Sequence, residues 1–125
     1  MLPIDKLKVE RVEGRNDGSH IYLHLEANSV VWMACGDSAY LLRLLVKKLG
    51  CGYLCGYSDR LQMPCVLIDA DVARKVESHL EVEPCDDSSL LCLSGCGDID
   101  KADYARWVDK LCQAKALESK EISTP

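Results

Sequence analysis

The chain has 125 residues, nearly half of them apolar, which is typical of one folded domain with its own core. Its net charge is −5, and residues 51–125 carry eight Lys or Arg against fourteen Asp or Glu. Because such a surface repels phosphate backbones, we expect no binding to nucleic acid.

Membrane insertion and secretion are not indicated either. The chain becomes charged at Asp5, so it opens without the apolar segment of a signal peptide. The apolar run from Val30 is interrupted by Gly36-Asp37 and again by Arg43, so no segment predicts a membrane span. We therefore expect a soluble, cytoplasmic protein with no membrane partner.

Two strands are predicted at the start of the chain. Residues 6–13 place Leu7 and Val9 on one face, and an Asp-Gly turn leads to residues 20–26. The second segment alternates between apolar and polar residues, as a strand with one buried face does. Its inward side chains are predicted to be Ile21, Leu23 and Leu25, and its outward ones His20, Tyr22, His24 and Glu26.

The most apolar part of the chain predicts an interior strand followed by a helix. Residues 30–35 are apolar on both faces, and with the two preceding strands they predict an N-terminal antiparallel meander. Asp37 is predicted to cap a helix over residues 38–49 that ends at Gly50. The apolar stripe of this helix is wider than one sheet face needs. It comprises Leu41, Leu42, Leu45, Val46 and Leu49, with Tyr40 and Leu44 at its edge.

The middle of the chain predicts one further strand and a second helix. Residues 51–57 are glycine-rich and indicate an irregular strand or a loop. Residues 63–68 predict a short buried strand, and Asp69 can cap the helix that follows. Residues 81–89 are interpreted as an acidic connection.

The last elements complete an α+β domain over residues 1–118. Residues 90–93 predict a buried strand, and a third helix is expected over residues 100–118. Residues 119–125 are expected to form a flexible tail. The fold prediction is an antiparallel or mixed sheet of five to six strands with three helices. The third helix has an apolar face formed by Tyr104, Trp107, Val108 and Leu111.

Three residues are candidates for catalysis by a thiol. Cys35 and Cys96 each precede a predicted helix start, where the helix dipole can lower the pKa of a thiol. A thiolate also needs a base, and His24 is a candidate only if the fold brings it near. This hypothesis describes a small thiol-dependent enzyme or redox protein.

Metal binding is a second hypothesis for this cysteine-rich chain. Cys51 and Cys55 share a spacing with Cys92 and Cys96, and four thiolates can hold a structural zinc ion. Three intervening residues suit this poorly in an extended segment, because the sulfurs then stand too far apart. We therefore expect the cysteines to be reduced, metal-free core residues, and we expect no cofactor.

Together these patterns favour a non-catalytic protein-binding or assembly module, such as an accessory or mobile-element product. Its partner is another protein or a second copy of the chain. A homodimer is expected because the first and third helices carry more apolar surface than one sheet covers. The alternative is that these two helices pack on each other within the chain. A thiol-dependent enzyme or redox protein and a zinc-stabilised domain are the competing functions.

Overall fold

The computed structural model describes residues 6–25, 30–85 and 87–123, with side chains up to residue 114. These residues form a six-stranded antiparallel sheet and four helices. In chain order the elements are α1 (Lys6–Glu13), β1 (His20–Leu25), β2 (Val31–Cys35), α2 (Asp37–Leu49), β3 (Leu54–Ser58), β4 (Met63–Asp69), α3 (Ala70–Ser78), β5 (Glu81–Glu83), β6 (Leu90–Ser94) and α4 (Lys101–Ser123). The strand order is β3-β4-β2-β1-β6-β5, so β3 and β5 form the two edges.

The main core lies on one face of this sheet, beneath α2, α3 and α4. Ile21 and Leu23 of β1 point into it, as the alternating pattern of that strand predicts. Ala34 of β2 and Val66 of β4 lie on the same face, and α2 supplies the largest group of helical side chains. The sheet is built around β2 and β1, which confirms that residues 30–35 form an interior strand.

The first helix corrects the predicted first strand, and with it the predicted meander. Residues 6–13 form α1, which lies on the opposite face of the sheet. Val9 and Val12 are buried, whereas Leu7 is 71% exposed, so the buried residues have helical rather than strand spacing. Lys, Glu and Arg fill most of the other positions and favour a helix.

One predicted helix cap is confirmed and another is wrong. The carboxylate of Asp69 accepts a hydrogen bond from the backbone N–H of Val72 at 2.9 Å and caps α3. Asp37, in contrast, is the first helical residue of α2, and the capping position is Gly36 with φ 61°. The predicted C-cap is confirmed, since Gly50 has a left-handed backbone with φ 71°.

The second half of the chain differs from the prediction in two places and decides one alternative that the prediction left open. A short strand, β5, lies within the predicted acidic connection. The glycine-rich segment contains β3, which resolves the choice between strand and loop. The backbone of α4 continues to Ser123, beyond the predicted end of the third helix. Glu26 and residues 27–29 lie outside the described residues, and the flexibility expected for residues 119–125 stays a prediction.

The apolar stripes of α2 and α4 pack against each other within the chain. Tyr40 of α2 makes edge-to-face contacts with Tyr104 and Trp107 of α4, with ring centroids 5.9 and 6.1 Å apart. The hydroxyl of Tyr40 donates to Asp103 at 2.7 Å, and Arg43 lies over the ring of Trp107. The surplus helix surface from which a dimer is expected is therefore largely covered internally.

The helices of the described chain do not have the length and apolar character that a membrane-crossing segment requires.

The docking of α1 on the sheet can be tested by truncating one buried valine and one exposed leucine of this helix to alanine. Val9→Ala should lower the free energy of unfolding by about 2 kcal/mol, because it empties a fully buried site beneath the helix. Leu7→Ala is the matched control on the same helix, and its effect should stay within about 0.5 kcal/mol. Urea denaturation of both variants measures this difference. Equal effects of the two truncations would contradict the helical register of α1.

Candidate functional site

The face of the sheet that carries α1, called here the α1 face, is only partly covered. Val9 packs there against Met33 and Cys35 of β2, with Leu61 beside them. This one helix has eight residues, whereas the six strands beneath it extend on both sides. The part of the α1 face beyond α1, toward β3, is therefore the place where the described structure leaves room for a ligand or partner.

A cavity of about 390 Å³ occupies this part of the α1 face. Its floor is mainly apolar, and its rim carries one charged side chain, Arg60. The thiol of Cys65 belongs to its wall. The cavity is lined in part by Met33, Leu54, Tyr57, Arg60, Leu61, Cys65 and Leu67.

Two cysteines meet at the wall of the cavity. Cys35 on β2 and Cys65 on β4 are directly opposite residues of the antiparallel ladder. Their Sγ atoms lie 3.4 Å apart, both as free thiols. Cys35 is completely buried, while Cys65 is partly exposed. The fold thus makes a close dithiol in which only one sulfur can be reached from solvent.

The two thiols of this pair differ in acidity. The hydrogen bond with Cys65 and then burial raise the pKa of Cys35. The pKa of Cys65 is lowered, first by the hydrogen bond from Cys35 and then by the positive charge of Arg60, although burial opposes the shift. The accessible sulfur is therefore the one that more readily becomes a thiolate.

A partly buried carboxylate, that of Glu13, joins α1 to the start of α2. Glu13 accepts a hydrogen bond from the hydroxyl of Ser38 at 2.6 Å and lies 3.4 Å from the Ser38 backbone N–H. The same hydroxyl accepts from Asn16 at 3.1 Å and from the backbone N–H of Tyr22 at 3.0 Å. Glu13 thus caps the start of α2, in place of the predicted cap Asp37.

His24 lies on the α1 face, opposite Met33 of β2, and is only 2% exposed. This corrects its predicted outward position, since the helix on this face encloses it. Neither ring nitrogen has a hydrogen-bond partner among the described residues. Burial, followed by the charge of Lys8, lowers its pKa from 6.5 to about 4. His24 is therefore a neutral imidazole with no hydrogen bond to either Cys35 or Cys96.

The second predicted nucleophile lies elsewhere. Cys96 donates from its thiol to the backbone carbonyl of Ser19 at 3.5 Å, in the loop before α4. Its pKa is raised, mainly by burial, whereas the sequence led us to expect a helix dipole to lower it. The helix begins at Lys101, within one residue of the predicted start, but four residues lie between it and Cys96, so burial outweighs any effect of the helix dipole on this thiol.

The four candidate zinc ligands are not brought together. Cys51 lies just before the edge strand β3 and Cys55 lies on it. Cys92 lies on β6, which is separated from β3 by three strands. No group of three or more His, Cys, Asp or Glu side chains suited to a metal ion occurs within residues 6–25, 30–85 and 87–114. Cys92 instead interacts with Cys85, and burial helps raise its pKa to about 11.

Two residues of the site are absent from the sequence prediction. The sequence predicts Cys65 only as a core residue, because its pairing with Cys35 depends on β4 lying beside β2. It predicts Glu13 at the end of a strand, where its carboxylate has no helix to cap. The sequence does place Cys35 at the end of one predicted apolar strand and Cys65 inside another, over residues 63–68. It does not show that the two strands are neighbours or which of their residues are opposite each other.

The chain matches no protein-family model, no curated protein and no solved structure. Its function must therefore be argued from the geometry of the site.

Glu13 predicts a pH-dependent loss of stability. Burial raises its pKa from 4.5 to about 7, so the folded state holds the proton more tightly than the unfolded state does. Its contribution to stability should therefore fall as the pH rises from about 4.5 to about 7. Glu13→Gln keeps an acceptor for Ser38 without the charge, and its stability gain over wild type should grow to roughly 2 kcal/mol across this range.

Urea denaturation of wild type and Glu13→Gln at several pH values measures this gain. Glu10→Gln changes an exposed carboxylate on the same helix and is the matched control, with an effect within about 0.5 kcal/mol at every pH. If Glu13→Gln instead loses stability as the pH rises, the ionised carboxylate is a favourable cap and the prediction is wrong.

His24 predicts the opposite dependence. Its folded-state pKa of about 4 lies below 6.5, so stability should be lost as the pH falls from about 6.5 to about 4. His24→Leu should remove this loss and be neutral or stabilising at pH 7, because the ring nitrogens it removes have no hydrogen-bond partner among the described residues. Denaturation curves at both ends of the range test this, with His79→Leu as the exposed control. A loss above about 1 kcal/mol at pH 7 would show that His24 has a required hydrogen-bond partner.

Proposed function

We propose that the protein is a non-catalytic assembly module that forms a two-fold dimer through the outer edge of β3. The single observation that carries this proposal is that β3 lies at a sheet edge but has the composition of an interior strand. Edge strands expose unpaired backbone N–H and C=O groups, and proteins usually protect them with charge, proline or shortness.

The charge pattern along the chain supports this proposal. Residues 49–58, which contain β3, form a run of ten residues without a charged side chain. Two other such runs, residues 27–36 and 88–97, contain the interior strands β2 and β6. The opposite edge, β5, has only three residues, of which two are glutamates. The protection that β5 has is therefore missing from β3.

The surface around β3 supports the same conclusion. Leu54 is 71% exposed, although it is a large apolar residue on the outermost strand. It borders both the cavity of about 390 Å³ on the α1 face and a second cavity of about 380 Å³ that reaches Asp69. A strand added alongside β3 would partly cover Leu54 and continue the sheet by backbone hydrogen bonds.

A second copy is the occupant that this edge fits. If two β3 strands pair antiparallel about a two-fold axis, Gly56 faces its own copy at the centre. Leu54 then lies opposite the partner's Ser58, and Cys55 lies opposite the partner's Tyr57. No charged residue of the strand meets a like charge, although each chain has a net charge of −5. The pairing thus avoids the repulsion that most of this acidic surface would cause.

Sedimentation equilibrium at micromolar concentration tests the dimer. Wild type should approach twice the monomer mass of 13.9 kDa. Cys55→Lys places two lysines diagonally across the two-fold axis, whereas Leu54→Lys replaces an apolar contact of the proposed interface with a charge that must lose water. Each should weaken association at least about tenfold, which is about 1.4 kcal/mol. Both positions are exposed, so the stability of the monomer should change by no more than about 0.5 kcal/mol.

Val82→Lys is the matched control, because Val82 is 51% exposed on the opposite edge strand. It should leave the dimer unchanged. A wild-type mass near 13.9 kDa at all concentrations would overturn the proposal. So would a dimer that Leu54→Lys and Val82→Lys affect equally, since association would then not depend on β3.

A further inference from the structure

The close dithiol on the α1 face, formed by Cys35 and Cys65, has no part in the proposed assembly. It is a pair of free thiols with sulfurs 3.4 Å apart, and one of them, Cys65, lines a cavity. The two residues are directly opposite in an antiparallel ladder. Such residues have Cα atoms about 4.5–5.5 Å apart, within the range that a disulfide spans. The pair can therefore be bridged with little movement of the backbone.

Access to this pair comes from the cavity and reaches only Cys65. The residue of β3 directly opposite Cys65 is Gly56, which has no side chain to shield the sulfur. A Cβ atom built at Gly56 would meet nothing within 4 Å, so the space over this glycine, next to Cys65 in the ladder, is open. Cys35 lies behind Cys65 and is completely buried. A small molecule in the cavity can thus contact the sulfur of Cys65 directly. It can reach the sulfur of Cys35 only after it has reacted with Cys65.

The surroundings also give the two sulfurs different roles. Arg60, on the rim of the same cavity, contributes a positive charge that favours a thiolate at Cys65. The hydrogen bond with Cys65 and burial raise the pKa of Cys35, so its thiol stays protonated beside the Cys65 thiolate. An accessible nucleophile beside a buried second thiol is the arrangement that thiol–disulfide exchange requires.

We propose that Cys65 and Cys35 are a redox site that exchanges with low-molecular-weight disulfides. The Cys65 thiolate attacks one sulfur of the small disulfide, whose S–S bond breaks, and the first small thiolate leaves with the electron pair. The thiolate of Cys35 then attacks Sγ of Cys65 and expels the second small thiolate. The protons of the two cysteines end on the two released thiols. One small disulfide is reduced, and the two protein thiols are oxidised to one disulfide.

Hydroxyethyl disulfide is a suitable probe, because it is uncharged and small enough for a cavity of about 390 Å³. The reduced full-length protein is incubated with it in the absence of oxygen, and the peptides are then mapped by mass spectrometry without reduction. The expected result for wild type is a peptide pair linked between Cys35 and Cys65. An adduct at the exposed Cys55, and an adduct or a disulfide with Cys92 at the exposed Cys85, show in the same sample that the reagent is active.

Two variants separate the roles of the sulfurs. Cys35→Ala should accumulate a single hydroxyethanethiol adduct on Cys65, because the second thiol that would release it is absent. Cys65→Ala should abolish the linkage and leave Cys35 unmodified. Cys51→Ala changes a half-buried cysteine outside the pair and should leave the linkage as in wild type. Thermal melts of the variants establish that each is folded.

Gly56→Val provides a second measurement that leaves both thiols in place. Its branched side chain should fill the open space next to Cys65 and slow formation of the linkage at least about fivefold, while Cys85 reacts at the wild-type rate. Reaction at Cys55 and Cys85 without any linkage between Cys35 and Cys65 would overturn the proposal. A linkage that forms as fast in Gly56→Val as in wild type would overturn the assigned route of access.

Discussion

A six-stranded sheet has two faces to cover, and this chain covers them unequally. Three helices pack on one face with the largest group of buried side chains, while the eight-residue α1 is the cover that the described residues provide on the other. An interior strand such as β2, apolar on both faces, requires cover on both sides. Because α1 reaches the strands near the middle of the sheet, the α1 face stays open toward β3. The cavity, the accessible thiol and the exposed Leu54 all lie in that open part.

The attachment of α1 depends on polar groups buried beneath and beside it. The Glu13 carboxylate holds the start of α2 through Ser38, and burial raises its pKa to about 7. His24 has a pKa of about 4 under the same helix, so its effect on stability has the opposite sign. Between pH 4.5 and 6.5 these two dependences largely cancel. The wild-type stability profile is therefore flatter than that of a variant lacking either group.

The parts of the fold that local signals determine could be predicted from the sequence. Asp69 caps a helix because the capping residue and the helix are adjacent, and β4 and β6 are short apolar runs bounded by turns. Residues 6–13 are predicted as a strand because the two-residue spacing of Leu7 and Val9 fits a strand. The three-residue spacing of Val9 and Val12 fits a helix equally well. Only packing beneath α1 decides between these patterns. Of the site, Cys35 could be identified, but Cys65 could not, since strand order and register determine which residues meet.

The edge and the dithiol are neighbours, yet the geometry separates their functions. Gly56 is both the centre of the proposed strand pairing and the residue opposite Cys65. A second copy paired with β3 extends the sheet sideways, in the plane of its strands, whereas the thiol is reached from above the α1 face. Backbone pairing at the edge uses the N–H and C=O groups of β3, and access to Cys65 uses the missing side chain of Gly56. Gly56 therefore belongs to both features: its backbone lies at the centre of the proposed pairing, and a side chain that extends beyond Cβ, such as that of valine, would occupy the open space over the strand next to Cys65.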